Sequence, residues 1–141
     1  MNAIAEAPAI LITPPQPGAL WPEQGGRYVG SYVKAGQLHH GIIADGVDTD
    51  IKASFNKLAE SPTNIGINGF SDWRAPDQRE LMLAFIHAPD NFMRSGWDSI
   101  YMTSTPYGSG HVWVVDFESG SVSPNYRYDE WRVRPFRSII A

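Results

Sequence analysis

The run from Gly69 to Leu81, Gly-Phe-Ser-Asp-Trp-Arg-Ala-Pro-Asp-Gln-Arg-Glu-Leu, restricts the folding of this chain more than any other stretch. Pro76 drives Ala75 toward extended backbone. Asp77, followed three positions later by Glu80, is a capping box that opens onto the apolar run Leu81, Met82, Leu83, Phe85, Ile86. The pattern predicts a helix over residues 77–87. Just upstream, Trp73 is set to bury its indole while Asp72 and Arg74 pair or hold neighbouring loop backbone, which makes the run a structural corner.

What surrounds this corner has the length of one domain with a real core and is too short for two of ordinary size. Residues 1–20 are rich in Ala and Pro, and Pro8, Pro14, Pro15 and Pro17 rule out regular helix or central strand there. They are expected to form an extended arm, which also suits docking on a neighbouring subunit in a homo-oligomer or larger assembly. Residues 21–141 are expected to form the domain. Thirteen Gly, eleven Pro and a high aromatic content favour a loop-rich fold with strands over a helical bundle.

Two strands, Arg27–Val33 and Leu38–Ala44, flank Lys34-Ala35-Gly36-Gln37 as a hairpin. Alternation puts Tyr28, Gly30 and Tyr32 on one face. The neighbours His39 and His40 point to opposite faces, so they do not converge on one metal ion. Asp45, Asp48 and Asp50 read as a solvated turn, since the closing acidic residue of a common calcium loop is missing. Ile51, Phe55 and Leu58 have helical spacing, which predicts a short surface helix over 50–59. Further strands are expected over 100–105, 112–117, 122–127 and 131–139, the last with an edge or bulge at Pro135.

The corner run also carries a family resemblance. Gly69-x-x-Asp72-Trp73-Arg74-x-Pro76-x-x-x-Glu80-Leu81 resembles the signature of a bacterial domain typified by the C-terminal domain of the Legionella collagen-like adhesin, a family regarded as C-type-lectin-like. Tyr101 to Thr105, Val112 to Phe117 with Gly120, and Arg132-Val133-Arg134 resemble its later segments in the same order. The likeness spans residues 65–139. Ala75 stands where a Leu is usual, and the last strand lacks a cysteine. The resemblance implies an α+β, C-type-lectin-like fold with two short helices on a small, mainly antiparallel and irregular sheet. It also makes Asp72, Trp73, Arg74, Glu80, Trp113, Arg132 and Arg134 structural motif residues. Arg132 and Arg134 share a strand face, from which they are expected to pair Asp72, Asp116 or Glu118.

A net charge of -4 argues against a nucleic-acid partner held by its phosphates. The absence of cysteine removes disulfides, thiolate metal sites and cysteine nucleophiles together. No stretch reaches transmembrane length, so no membrane insertion is expected. Met1 to Ile12 lacks the basic start of a secretory leader. The expectation from this is a protein of the producing cell's cytoplasm or one associated with a virion.

Chemistry is weakly signalled. Asp116 and Glu118 share a strand face, as a two-carboxylate glycosidase would need, and Ser104 and Thr105 precede His111, yet no recognisable nucleophile–base motif appears. A non-catalytic protein without a metal or cofactor is the expectation. Binding is signalled more strongly. Tyr107, Ser109, His111, Asn125, Tyr126, Tyr128 and Trp131, interspersed with glycines, are residue types that binding loops favour. In lectin-like folds this part of the chain forms the ligand face. The reading is a receptor-binding, adhesin-like component of a phage tail, baseplate or cell surface that recognises a glycan or surface protein. A phage-encoded inhibitor of a host protein is the alternative, and a glycan-degrading enzyme ranks third.

Overall fold

A computed structural model describes residues 12–60 and 65–141. The strands are β1 (Leu20–Trp21), β2 (Gly26–Lys34), β3 (Gln37–Ile43), β4 (Ile51–Ser54), β5 (Ile65–Ile67), β6 (Phe70–Trp73), β7 (Ile100–Tyr107), β8 (His111–Asp116), β9 (Val122–Tyr126), β10 (Glu130–Val133) and β11 (Phe136–Ile140). Two α-helices, α1 (Phe55–Glu60) and α2 (Gln78–His87), interrupt them. The class is α+β with sheet predominating. Residues 1–11, most of the expected arm, lie outside the described residues; Gly18 is tied to the domain by its N–H to the Tyr28 carbonyl at 2.7 Å.

Strand order is β1-β2-β3-β11 in a four-stranded sheet and β4-β10-β7-β8-β9 in a five-stranded one, with β5-β6 as a separate hairpin. The described pairings are antiparallel except β10 against β7, which meet in parallel at Arg132 and Tyr101. The expected β2–β3 hairpin forms around Ala35 and Gly36, both at positive φ, as a two-residue turn of this handedness needs. A bulge between Tyr28 and Gly30 changes which side chains share a face. Tyr28 packs with Trp21 and Ile42, whereas Val29 and Tyr32 join the main core. The expected common face of Tyr28 and Tyr32 is therefore broken by the inserted residue.

The capping box at α2 is complete. Asp77 accepts from the Glu80 N–H at 2.8 Å and Glu80 accepts from the Asp77 N–H at 2.9 Å. The main core draws Leu81 and Ala84 of α2 together with Val29, Ile43, Phe92, Tyr101, Val115, Phe117 and Phe136. A second cluster sets Trp73, fully buried, with Trp21, Tyr28 and Ile42. A third sets Met102, Val112, Val114 and Val133 beneath Phe55 and Leu58.

Two expectations fail where pairing between distant strands outweighs local spacing. The segment 50–59 begins as β4, with Ile51 opposite Val133 and Ala53 opposite Trp131, and turns helical only at Phe55. The closing strand 131–139 is two strands in two sheets. Pro135 has no N–H to continue a ladder, and the chain crosses there from β10 to β11.

Candidate functional site

The β7–β8 hairpin turns at Gly108, whose φ of 63° suits glycine, and places Tyr107 opposite His111. Next to it, the register of β8 and β9 sets His111 opposite Tyr126 and Trp113 opposite Pro124. Because side chains alternate, these residues point to one side of the sheet. Their rings form a continuous row. Tyr107 meets Trp113 edge-on at 4.8 Å and His111 at 6.3 Å; His111 lies 5.0 Å from Tyr126, and Tyr126 stacks on Tyr128 at 5.3 Å with 23° between planes. Tyr107 and Tyr126 are about half exposed, and Tyr128 is 68% exposed. Buried aromatics contribute packing, whereas these three tyrosines stay about half open to solvent or more.

Arg127, between the two stacked tyrosines, points to the other side. Its Nε donates to the His111 carbonyl at 2.8 Å, its Nη2 donates to the Gly108 carbonyl, and its guanidinium lies 4.7 Å from the centre of the Phe55 ring. One side chain thus ties the Tyr107–His111 turn to the Tyr126–Tyr128 turn. Arg127 is not among the binding residues expected from the sequence; its place between Tyr126 and Tyr128 is the signal that sets it on the other side.

The other expected binding residues are placed differently. Ser109 is exposed at the tip of the β7–β8 turn. Asn125 lies on the opposite face from Tyr126 and accepts the Tyr126 N–H through Oδ1 at 3.0 Å. Trp131 is not brought to the row. It packs with the third cluster and stands 6.2 Å from Trp97, which is 78% exposed.

The motif residues build the frame. Arg74 forks onto Glu80 at 2.7 and 2.8 Å, and Tyr32 donates to the same carboxylate. Burial would raise the Glu80 carboxyl, but the hydrogen bonds and charge of Arg74 outweigh it and hold the group below the usual carboxylate range. The same burial, with the Glu80 bond, pushes the Tyr32 hydroxyl upward. Trp73 donates from Nε1 to the Ile67 carbonyl at 3.0 Å. Arg132 and Arg134 do share a face, but the expected acceptors are not theirs. Both reach Asp50, at 3.3 and 2.6 Å. Asp50 also accepts from Tyr101 at 2.5 Å and its side chain is fully buried, which overturns its reading as a solvated turn residue. Asp72 pairs with Arg137 at 2.8 Å.

Asp116 accepts from the Ser99 hydroxyl and the Glu118 N–H, both at 2.8 Å, so its carboxylate holds the turn that follows β8. Among the described residues no group of three or more His, Asp or Glu is placed to hold a metal ion. No helix among them is long and apolar enough to cross a membrane. A cavity of about 320 Å³ opens beside α1, lined by Phe55, Leu58, Ala59 and Ala75 together with the polar Lys34, Arg74, Asp77 and Ser104; the aromatic row takes no part in its lining. No family model matches the chain, and no curated protein matches it either.

Proposed function

We propose that the protein is a non-catalytic recognition module of C-type-lectin-like fold, serving as a receptor-binding, adhesin-like component of a phage tail, baseplate or cell surface. The exposed row of Tyr107, His111, Tyr126 and Tyr128 carries this reading. Tyrosine gives a large contact area with two rotatable bonds, and its hydroxyl adds an adaptable hydrogen bond. Tyr107, His111 and Tyr126 sit on paired strands, Tyr128 follows in the turn after β9, and Arg127 ties that turn to the β7–β8 turn, so little ordering is left for the binding step. The lectin-like fold is supported by the sequence resemblance and by two helices set against small, mainly antiparallel sheets.

The test is binding of labelled protein to intact bacterial cells, with a Tyr126→Ala/Tyr128→Ala variant alongside. Saturable binding that the double variant loses supports recognition through this row. Capture of a single cytosolic protein, with no binding to any cell surface, would replace it with the host-factor inhibitor.

A further inference from the structure

Independently of the aromatic row, we propose that the cavity beside α1 is a binding site for a small carboxylic acid with an apolar tail. Phe55, Leu58 and Ala59 of α1, with Ala75 of the corner, supply its apolar lining. Its volume of about 320 Å³ stands at the lower end of the range of small-molecule sites, on the order of 300–1,000 Å³. At roughly 30 Å³ per solvent-sized group, about ten heavy atoms fill it. The lining is held in place before a ligand arrives. Phe55 donates its N–H to the Arg127 carbonyl at 3.1 Å and carries the Arg127 guanidinium over its ring. The Ser104 N–H donates to the Pro76 carbonyl at 2.8 Å, which fixes β7 against the corner. Little ordering is therefore left for binding.

Charge selects the acid. Of the charged side chains in the lining, Arg74 is matched by the buried Glu80, onto which it forks at 2.7 and 2.8 Å. Asp77 is engaged at the start of α2, where its Oδ1 accepts the Glu80 N–H at 2.8 Å beside the positive end of the helix. Lys34 is held loosely. Its ammonium reaches Asp77 at 3.3 Å and Glu80 at 3.9 Å, against roughly 2.7–2.9 Å for a tight charge-assisted bond. With three N–H groups, it can keep Asp77 and still donate to a carboxylate in the cavity. The exposed Ser104 adds a hydroxyl donor. A cationic head would meet Lys34 and Arg74, and a neutral head would gain a bond only about half as strong. An acid without an apolar tail would give up hydration against Phe55 and Leu58 with no return.

The full chain is titrated by calorimetry with octanoate, 1-octanol and octylamine, and the thermal midpoint is followed with and without each. Lys34→Gln, Ala75→Leu and Tyr126→Ala are run in parallel. The expected result is saturable binding of octanoate, about tenfold or more tighter than of octanol or octylamine. Lys34→Gln should bring octanoate down to the octanol level. Ala75→Leu should abolish binding by filling the cavity, with the ligand-free midpoint at or above the parental one. Lys34 has a side chain 43% exposed, so its variant decides the matter even where Ala75→Leu lowers the midpoint. Tyr126→Ala should leave octanoate binding unchanged, which lets the cavity and the row stand or fall separately. Octanol binding as tight as that of octanoate overturns the proposal, as does octanoate binding that Lys34→Gln leaves intact. So does octanoate binding that persists in a folded Ala75→Leu protein or that Tyr126→Ala removes, since it then lies elsewhere. Absence of saturable octanoate binding overturns it outright and leaves the recognition reading untouched.

Discussion

Arg127 donates from Nε to the backbone carbonyl of His111 at 2.8 Å, so the residue that separates Tyr126 from Tyr128 also fixes the strand that carries the ring facing Tyr126. A single guanidinium therefore sets the spacing of the row from behind. Replacing Arg127 by Ala removes two bonds to carbonyls and the stack on Phe55. The expected loss of stability is about 1–2 kcal/mol by urea unfolding, with at least a tenfold loss of binding through the row. Arg127→Lys should recover little of either, because an ammonium cannot fork to two carbonyls while lying flat on a ring. A lysine variant with full binding would show that Arg127 does not position the row.

Asp50 supports a different prediction. It is the buried acceptor for Arg134, itself fully buried, and for Arg132 and Tyr101. Asp50→Ala leaves the Arg134 charge enclosed, although Asn91 and the Ala44 carbonyl still accept from it. The expected cost is about 3–5 kcal/mol, read as a lower urea midpoint at an unchanged slope. Asp50→Asn, which keeps an acceptor oxygen, should lie between the variant and the parent.

These two residues also show what a sequence discloses and what it conceals. The α2 start was legible because Asp77 and Glu80 are three apart and bond each other's backbone. The β2–β3 hairpin was legible because its turn chemistry is local. Asp50 was misread because its partner Arg134 lies 84 residues away, and nothing near Asp50 announces burial. The same distance effect hid β4, whose strand state depends on β10. In the candidate site, residue type alone picked out Tyr107, His111, Tyr126 and Tyr128. Only the register of β8 against β9 shows that their rings meet, that Asn125 faces away, and that Trp131 belongs to another cluster.

Acid should unfold the domain in two stages. His40 has its Nδ1 2.6 Å from the Ser31 hydroxyl, and burial lowers its pKa below the ordinary 6.5. The unfolded chain thus takes up that proton first. Stability is full above pH 6.5 and declines as the pH falls below it. Glu80, held below its ordinary 4.5 by Arg74 against the effect of burial, keeps its contribution above that value and loses it as the pH drops through the folded-state pKa. Urea midpoints measured from pH 8 to 3 should show both declines. His40→Gln should flatten the upper one and leave the lower. Glu80→Gln, which ends the ion pair with Arg74, should cost about 2–3 kcal/mol at pH 7 and shrink the lower one, leaving the part due to Asp45, which Arg27 and Asn91 hold below its ordinary value against burial. A single decline near pH 4.5 in the parent would mean that His40 titrates normally.

Ala75 is nearly buried and borders the cavity of about 320 Å³ beside Phe55 and Leu58. The small alanine side chain leaves the apolar walls of Phe55 and Leu58 without contacts on one side, and filling such space returns dispersion and burial together. Ala75→Leu should raise stability by about 1 kcal/mol and the thermal midpoint by about 3–5 °C. Binding through the aromatic row should not change, because the row lines no part of this cavity. A lowered midpoint would mean that the leucine cannot reach the open space from the Ala75 backbone and instead presses on Met102 and Val133, its neighbours in the third cluster.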